Sequence, residues 1–499
     1  ESRAIPSCSH GVTTIVTGNC GVGFAPTRGH DHDRLISLMA GVEDIPEIVM
    51  TAGLQWNWES FADYLKVVAG LPHDVDVACM VPHSALRVYV MGERAVARED
   101  ATPEDIAEMS RLVGEALRAG AIGFGTSRSL GQRAIDGVPI PTVRAQRDEL
   151  VGIARALRQE GRGVFQLLSD FKGGFDEEFG LMRDIVRESG RPLSYTLHQK
   201  AHAPEAWRHL LEMTAEANRE GLEIRGQVIG RPTGVLLGFE LTTHPFVGCP
   251  SYQPIAGLPL DQRIAALRDP DLRRRLIDEE PMDRRAQGVA LGRMFDRTFE
   301  LGDPPNYEPD PSTSLKARAE ALGVKPAEVA YDLMMGENGR AILFCAAQDY
   351  EYGDLEVSRQ MMQHQNTILG LGDAGAHCGV VCDAGYPTHM LAYWGRDRTR
   401  GAKLPLPWIV KALTHDTAQA MRLTDRGQLK PGLRADVNLI DFDRLQLARP
   451  RVEYSLPAGG RRLVQDAAGY VATVKSGVVT YRGGEHTGAL PGELVSAAA

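Results

Sequence analysis

The chain repeats one pattern of apolar and polar positions from about residue 10 to about residue 420: a short apolar run, a turn of small residues and a segment with apolar residues at helical spacing. Apolar runs rich in β-branched residues predict buried strands, and strands that alternate with helices predict a parallel sheet. Between two runs, Thr102 with Asp105 three residues later predicts the start of a helix over about 103–119. Eight runs indicate an α/β fold of the (β/α)₈ TIM-like barrel type, with strands over residues 12–16, 75–81, 121–125, 163–168, 192–197, 222–228, 340–344 and 367–372.

Two segments depart from this pattern. Residues 250–330 hold Pro-rich turns and charged helical stretches with little strand character, and we expect them to form an insertion near the mouth of the barrel. After residue 426 the period falls to two, in runs such as 427–441 and 469–483, which is typical of hairpin strands separated by Gly turns. The predicted organisation is therefore a barrel over residues 1–425 and the C-terminal part of a small β-sandwich over residues 426–499.

The composition excludes several classes of protein. The 499 residues are 43% hydrophobic and 24% charged, which is typical of a globular protein rather than a disordered or fibrous one. Because the net charge is −10 and basic residues form no long run, we expect neither nucleic acid nor a membrane as a partner. Seven cysteines, an odd number without paired C-x-x-C motifs, indicate the reducing cytoplasm.

Polar residues follow the predicted strands at the edge where a (β/α)₈ barrel keeps its active site. They are Cys20, His83, Arg128, His198 and Asp373. Cys20 lies between glycines that let the backbone turn sharply, and a thiolate there suits zinc coordination or attack on a carbonyl group. A neutral imidazole at His198 also suits zinc. Asp373 lies in a loop rich in Gly and Ala, and its carboxylate is suited to bind metal and to accept a proton from water.

Each of these three residues also has a structural interpretation. A cysteine at the end of a strand is more often a small buried residue than a ligand. A histidine at such a position is as often hydrogen-bonded in a polar cleft as bound to metal. An aspartate in a loop before a helix is suited to cap that helix. Taken one at a time, Cys20, His198 and Asp373 therefore leave the presence of a metal site open.

Several stretches together resemble the N-acyl-D-amino-acid deacylase (D-aminoacylase) branch of the amidohydrolase superfamily. They are residues 10–26 with the specific motif Gly-Asn-Cys-Gly, residues 41–46 (Gly-Val-Glu-Asp-Ile-Pro), residues 81–92, residues 372–377 (Gly-Asp-Ala-Gly-Ala-His) and residues 488–492. The resemblance runs over nearly the whole chain. It implies a metal-bearing (β/α)₈ barrel, a small β-sandwich built from both chain ends, an inserted segment near the mouth, and hydrolysis of N-acyl-D-amino acids, usually with zinc.

The resemblance also implies roles for individual residues. Cys20 corresponds to a metal ligand of the family, His198 to the histidine that ends the fifth strand, and Asp373 to the aspartate that binds metal and acts as general base. Three protein ligands and a water fit one catalytic zinc ion, and a second zinc ion is left open. The resemblance also implies a histidine at the sixth strand, whereas residues 222–228 carry Arg225 and Gln227 and no histidine.

The family's His-x-His motif closes the first barrel strand, and this sequence begins after the corresponding point. We therefore expect the chain to be a fragment of a longer product, without the first strand and the N-terminal half of the sandwich. His244, which lies some way past the sixth strand, is a weak substitute for the histidine expected there.

These observations lead to the hypothesis of a zinc-dependent amidohydrolase that cleaves a linear amide and removes the acyl group of an N-acyl-D-amino acid. In it, zinc polarises the carbonyl and activates water, and Asp373 passes the proton to the leaving amine. His83, Arg128 or Lys200 pairs with the substrate carboxylate. A cyclic-amide hydrolase similar to hydantoinases, and a non-catalytic binding protein with the same fold, are left open as alternatives. A homo-oligomer is also left open.

Overall fold

The computed structural model describes residues 3–282 and 287–496. In the first 370 residues the strands are β1 (Thr14–Thr17), β2 (Asp76–Pro82), β3 (Gly123–Ser127), β4 (Val164–Leu168), β5 (Leu193–Thr196), β6 (Ile224–Val228), β7 (Thr233–Leu237), β8 (Thr298–Glu300), β9 (Leu343–Gln348) and β10 (Thr367–Leu369).

Seven of these strands form one curled parallel sheet in the order β1-β2-β3-β4-β5-β6-β10. The register places Phe165 of β4 beside Phe124 of β3 and Leu193 of β5. Strands β2, β3 and β5 are buried along their whole length, because helices cover the outer face and the interior of the barrel covers the other. This arrangement confirms the predicted α/β fold of the barrel type.

Helices connect the strands and surround the sheet. The helix predicted over about 103–119 begins after Thr102, whose hydroxyl accepts the Asp105 N–H at 3.2 Å, as the capping pair predicts. The helices up to β6 are α1 (His32–Glu43), α2 (Glu47–Gly53), α3 (Phe61–Gly70), α4 (His83–Met91), α5 (Glu93–Val96), α6 (Pro103–Ala119), α7 (Arg147–Glu160), α8 (Phe175–Ser189) and α9 (Ala206–Arg219). The later ones are α10 (Gln253–Ala256), α11 (Leu260–Leu267), α12 (Pro270–Asp278), α13 (Gln287–Gly292), α14 (Leu315–Leu322), α15 (Pro326–Met334), the single turn α16 (Gly336–Gly339), α17 (Glu356–Gln363), α18 (Tyr386–His389), α19 (Leu406–Leu413) and α20 (His415–Ala420).

One predicted barrel strand belongs to another sheet. Residues 340–344 were expected in the parallel series, but β9 pairs antiparallel with β7 on one side and with β8 on the other. An apolar run that is buried on both faces fits either kind of sheet, so its sequence alone does not select the partner. The parallel sheet therefore contains seven of the eight predicted strands.

The small antiparallel sheet anchors a second hydrophobic core. Leu237, Cys345, Phe239 and Phe246 lie in this core, together with side chains from α11, α12, α14 and α15. The segment predicted as an insertion over residues 250–330 supplies most of those helices. Its boundaries, and those of the two larger units, stay predictions.

The C-terminal residues form short antiparallel strands, as the period of two predicts. They are β11 (Val437–Ile440), β12 (Gln446–Leu447), β13 (Arg451–Leu456), β14 (Gly460–Val464), β15 (Ala467–Ala468), β16 (Tyr470–Lys475), β17 (Val478–Arg482), β18 (Glu485–His486) and β19 (Leu494–Val495). Residues near the start of the chain pack here: Cys8 Sγ lies 2.8 Å from the Tyr481 hydroxyl, and Asn438 donates to Gly11 O at 2.7 Å.

The parallel sheet has two edges. Among the described strands, β1 pairs only with β2 and β10 pairs only with β6, so no ladder joins β1 to β10. The last strand, β19, instead pairs with β2 at Val77 and Ala78. In the described part of the chain, no helix combines the length and the apolar character needed to cross a membrane.

Candidate active site

Cys20, His198 and Asp373 each follow a strand of the parallel sheet at its carboxyl end. Cys20 comes after β1 and Asp373 after β10, the two edge strands, while His198 comes after β5. The turn that carries Cys20 contains Gly21 with φ +80°, where a Cβ atom would lie 2.6 Å from Thr126 Cα. Only glycine therefore lets this turn lie against β3 and hold the thiol at the edge of the barrel.

The charges around Cys20 are mainly negative. Burial raises the pKa of the Cys20 thiol well above its ordinary value, and the charges of Glu43 and Asp373 raise it further. A hydrogen bond from Gln132 acts in the opposite direction. Without a cation the thiol therefore stays protonated, whereas a bound cation would favour the thiolate.

Glu43 is an acidic residue of this cleft that was not among the predicted site residues. It ends α1, and its Oε2 atom lies 3.4 Å from His377 Nε2, which is 3.9 Å from Asp373 Oδ2. The main-chain N–H of His377 also donates to the main-chain oxygen of Glu43. Burial raises the pKa of Glu43 to about 7, against the charge of His377 that lowers it. The sequence signal was present, because Glu43 and His377 lie in two of the motifs that carry the family resemblance.

Asp373 combines access to solvent with a raised pKa. Solvent reaches its side chain, which is 48% exposed. Protein atoms nevertheless displace much of the surrounding water, so burial raises the pKa of this carboxyl, and the charges of His377, His198 and Arg231 partly offset that rise. A carboxyl in this environment is suited to exchange a proton with water.

His198 is held by a second aspartate, which the sequence analysis did not identify. Its Nδ1 lies 2.8 Å from Asp349 Oδ2, and the other Asp349 oxygen accepts the Gln199 N–H at 2.7 Å. Thr233 Oγ1 donates to Asp349 Oδ2 at 3.0 Å. This network fixes the ring and leaves Nε2 as the nitrogen available to a metal ion. Asp349 lies 151 residues from His198, just after β9, so no local pattern pointed to it.

The chemistry of these donors fits a divalent metal ion, although their positions do not yet form a coordination sphere. A thiol, an imidazole and a carboxyl are the ligand types that zinc prefers. Cys20 and Glu43 have pKa values raised in part by neighbouring negative charge, which a divalent cation would offset. Within residues 3–282 and 287–496, however, no three His, Cys, Asp or Glu side chains converge closely enough to hold one ion.

The expected histidine is missing at the end of the sixth strand, and His244 does not replace it. His244 is 2% exposed, and its ring packs against Phe239 and Tyr252 at centroid distances of 5.3 and 4.5 Å. It therefore lies among the aromatic side chains of the second core. Gln227, on β6 itself, has a buried Oε1 atom that makes no hydrogen bond to the described residues.

His83 and Arg128, both predicted to bind substrate, already have partners within the protein. His83 is fully buried, and its ring nitrogens lie 2.8 Å from Thr126 Oγ1 and 2.9 Å from Glu149 Oε1. Arg128 Nη2 donates to Glu178 Oε1 at 2.9 Å, and its Nη1 donates to the Ala145 oxygen. Their roles in substrate binding stay predictions.

Lys200, the third predicted substrate residue, is less firmly bound. Its Nζ atom donates to the Ser169 oxygen at 3.4 Å and lies 4.7 Å from the centre of the Phe171 ring. Burial lowers the pKa of Lys200 to about 8, so its charge is sensitive to its surroundings near neutral pH. Its role also stays a prediction.

Comparisons with known proteins identify the family. The profile of the "Amidohydrolase family" matches residues 4–481. D-aminoacylase of Alcaligenes xylosoxydans xylosoxydans is 36% identical over 160 residues, 32% of this chain and 28% of the relative, so the match spans less than a third of that relative's length. An uncharacterized protein of Mycobacterium bovis is 26% identical over 521 residues, 97% of this chain and 80% of that protein.

The solved structures agree with the fold. A structure described as showing the functional role of the binuclear metal center in D-aminoacylase superposes with a TM-score of 0.59 at 21% identity, over 98% of this chain and 84% of that one. These similarities confirm the resemblance to D-aminoacylases predicted from the motifs. Because the family profile covers nearly the whole sequence, the chain belongs to the amidohydrolase family.

Proposed function

We propose that the protein is a metal-dependent amidohydrolase that removes the acyl group of N-acyl-D-amino acids, with zinc as its metal. The family membership and the D-aminoacylase relative support this class of reaction. The observation that carries the proposal is the placement of Cys20, His198 and Asp373 after parallel strands at the carboxyl edge of the sheet, where His377 Nε2 lies 3.4 Å from Glu43 Oε2 and 3.9 Å from Asp373 Oδ2.

Cys20, His198 and Asp373 are the proposed metal ligands. When bound, a zinc ion polarises the scissile carbonyl and lowers the pKa of water. His198 is already oriented by Asp349, and its free Nε2 is the nitrogen that would bind. Cys20 and Asp373 follow the two edge strands, so one ion bound by both would connect β1 with β10.

Asp373 is the proposed general base and then the general acid. Its carboxylate accepts a proton from the attacking water as the oxygen adds to the carbonyl carbon, and it returns that proton to the amine nitrogen as the C–N bond breaks. The raised pKa of Asp373 favours the first transfer, because a carboxylate with a higher pKa is a stronger base towards the attacking water.

The experiment that tests this proposal measures metal content and hydrolysis together. The zinc-loaded protein should hydrolyse N-acetyl-D-amino acids and leave their L enantiomers largely unchanged. Asp373→Asn should lower kcat by about 10²- to 10⁴-fold, the usual contribution of a positioned acid or base. Cys20→Ala should lose both bound zinc and turnover.

Cys249→Ala is the matched control, because Cys249 is a buried cysteine of the second core, away from the strand ends. It should keep its zinc and its activity. Equal rates on both enantiomers, preferred turnover of hydantoins, or a full-activity protein without bound metal would each contradict the proposal.

A further inference from the structure

Two of the sequence stretches that carry the family resemblance contact each other next to Cys20. The main-chain N–H of Ser84, in the first turn of α4, donates to the Gly21 oxygen at 2.9 Å. Gly21 also packs against β3, because a Cβ atom at this position would lie 2.6 Å from Thr126 Cα. The turn that presents Cys20 is therefore seated on two surfaces, the start of α4 and the end of β3.

A buried charge network fixes the start of α4 to α7. Arg87 donates from Nε to Glu149 Oε1 at 2.8 Å and from Nη1 to the Pro141 oxygen at 2.9 Å. Burial raises the pKa of Glu149, but contacts with His83 and Arg87 outweigh burial and hold this pKa below its ordinary value, so the group is a carboxylate. His83 and Arg87 are 0% exposed and Glu149 is 1% exposed. Without water to replace a lost partner, each of these groups depends on the others.

The His83 ring connects this network to the end of β3. Its Nδ1 lies 2.8 Å from Thr126 Oγ1 and its Nε2 lies 2.9 Å from Glu149 Oε1. Burial lowers the pKa of His83, so the ring is neutral and carries one N–H. Because a carboxylate only accepts, Nε2 donates to Glu149 and Nδ1 accepts from the Thr126 hydroxyl. Both ring nitrogens thus have partners within the protein, and the tautomer is fixed.

We propose that His83 is a positioning residue that holds the Cys20 turn in place for metal binding. This inference rests on the proposed function, in which Cys20 is a metal ligand. The ring holds Thr126 on one surface under the turn, and the adjacent residue, Ser84, donates to the turn from the other surface. The turn itself is rich in glycine and has little rigidity of its own. Because a metal ligand must be held to within about 0.5 Å, the rigidity has to come from these neighbours.

The competing interpretation is that the network only stabilises the packing of α4 against α7. A purely structural role predicts a loss of unfolding free energy and no change at the metal. The positioning role predicts, in addition, a weaker bond between the metal and the Cys20 thiolate. The structure favours the second interpretation, because the bond between His83 and Thr126 runs between the two surfaces that contact Gly21.

Thr126→Val tests the inference with little disturbance, because valine has nearly the shape of threonine and removes only the hydroxyl. We expect the zinc affinity, measured by competition with a chromogenic chelator, to fall by about 10-fold or more. At saturating cobalt(II), which replaces zinc as a spectroscopic probe, the absorption from charge transfer between thiolate and cobalt should weaken. Thr126→Ser keeps the hydroxyl and should hold the zinc affinity within about threefold of that of the wild type.

His83→Gln removes the same hydrogen bond from the other side, since a glutamine amide reaches Glu149 but not Thr126. The double variant should bind zinc at most about threefold more weakly than either single variant, because both changes remove one interaction. Fully additive losses of affinity would show that the two side chains act separately, and would overturn the inference. If His83→Gln does not fold, the comparison of Thr126→Val with Thr126→Ser decides the matter.

Thr214→Val is the matched control. Thr214 is a fully buried threonine of α9, and its hydroxyl lies 2.9 Å from the Tyr195 hydroxyl. This variant should lose stability in denaturant unfolding and keep the zinc affinity and the cobalt spectrum of the wild type. Unchanged zinc affinity in Thr126→Val, or an equal loss in Thr214→Val, would overturn the inference.

The outcome for the proposed function is read separately. A wild-type protein that binds zinc through Cys20 and hydrolyses no N-acyl-D-amino acid would reject the proposed function and leave His83 as a positioning residue of a metal site. A wild-type protein whose cobalt form shows no charge-transfer absorption from a thiolate would overturn the inference, whatever its activity.

Discussion

Asp349 shows how a residue outside the proposed ligand set controls one of its members. Its carboxylate bridges the His198 ring, the Gln199 N–H and the Thr233 hydroxyl, with distances of 2.8, 2.7 and 3.0 Å. A carboxylate that holds the second nitrogen of a histidine fixes its tautomer and increases its strength as a ligand.

We expect Asp349→Asn to weaken zinc binding by about 10- to 100-fold, because the His198 ring loses its fixed tautomer and orientation. Competition with a chromogenic chelator measures this affinity directly. Asp176→Asn is the matched control, since Asp176 pairs with His209 at 2.9 Å on the protein surface and should leave zinc affinity unchanged. Equal affinity in wild type and Asp349→Asn would show that the contact does not act on the metal site.

His244 gives the protein a defined sensitivity to acid. Burial lowers its pKa from 6.5 to about 3, so the native state keeps this ring neutral while the unfolded chain takes up a proton below pH 6.5. The neutral His244 ring therefore causes no loss of stability above pH 6.5. As the pH falls below 6.5 the free energy of unfolding decreases, by about 2 kcal/mol at pH 5.

His244→Asn should therefore reduce the loss of unfolding free energy between pH 7 and pH 5 by about that amount, although the variant is less stable at pH 7. Urea unfolding at a series of pH values measures the difference. The exposed His209, replaced in the same way, is the control. An unchanged pH dependence in His244→Asn would mean that the ring is protonated in the native state.

At the scale of single residues, sequence reasoning identified side chains that follow strands and missed those that approach from elsewhere. Cys20, His198 and Asp373 could be selected because each ends a readable strand. Glu43 ends a helix, so only its place in a motif of the family resemblance pointed to it, and Asp349 lies 151 residues from its partner. Their significance depends on tertiary contacts that no local pattern encodes.

At the scale of elements, local sequence signals predicted where a helix or strand lies better than they predicted which strands pair with each other. The Thr102 and Asp105 capping pair marked the start of α6 because both hydrogen bonds form within one turn. The run that became β9 was also correctly identified as a strand. Its assignment to the parallel sheet was wrong. The strand pairs antiparallel with residues 233–237 on one side and 298–300 on the other, and its own sequence does not reveal these partners.

A buried ion pair joins two segments that are distant in the sequence. Glu308 accepts from Arg398 Nε at 2.9 Å and from its Nη2 at 3.0 Å, and both side chains are inaccessible to solvent. Glu308 also accepts from the Tyr393 hydroxyl and the Leu355 N–H. The segment that contains Glu308 is thereby fixed to the segment that follows α18.

Glu308→Gln should lower the free energy of unfolding by about 3–5 kcal/mol, because the buried charge of Arg398 then keeps only Glu356, 4.0 Å away, as a counter-ion. Denaturant unfolding measures the change. The exposed pair of Arg318 and Glu300 offers a contrast, and Glu300→Gln should cost less than about 1 kcal/mol. Similar losses of unfolding free energy in Glu308→Gln and Glu300→Gln would show that the buried ion pair is hydrated.

At the scale of the whole molecule, the repeated strand and helix pattern was enough to predict the architecture. Every parallel strand lies within or next to a predicted run, and the C-terminal strands follow the change in period. The second hydrophobic core was harder to predict from the sequence. Its helices carry apolar residues at ordinary helical spacing, and the surface they pack against is known only once the sheet of β7, β8 and β9 is known.

The edge strands should be the least protected part of the barrel. The main-chain amides of β1 and β10 should exchange with solvent faster than those of β4, which is paired on both sides. Hydrogen exchange followed by mass spectrometry tests this order in the metal-free protein. Uniform protection across the parallel strands would show that a further contact closes the barrel.

An ion bound at the proposed site would join these two edges. Cys20 and Asp373 extend from β1 and β10, so an ion that both of them bind would act as a clasp across a gap that no described ladder spans. Binding of this ion should raise the unfolding temperature and slow amide hydrogen exchange in both edge strands, since ligands that bind only the native state stabilise it. In such a molecule, binding of the ion and fixing of the two edge strands are a single event.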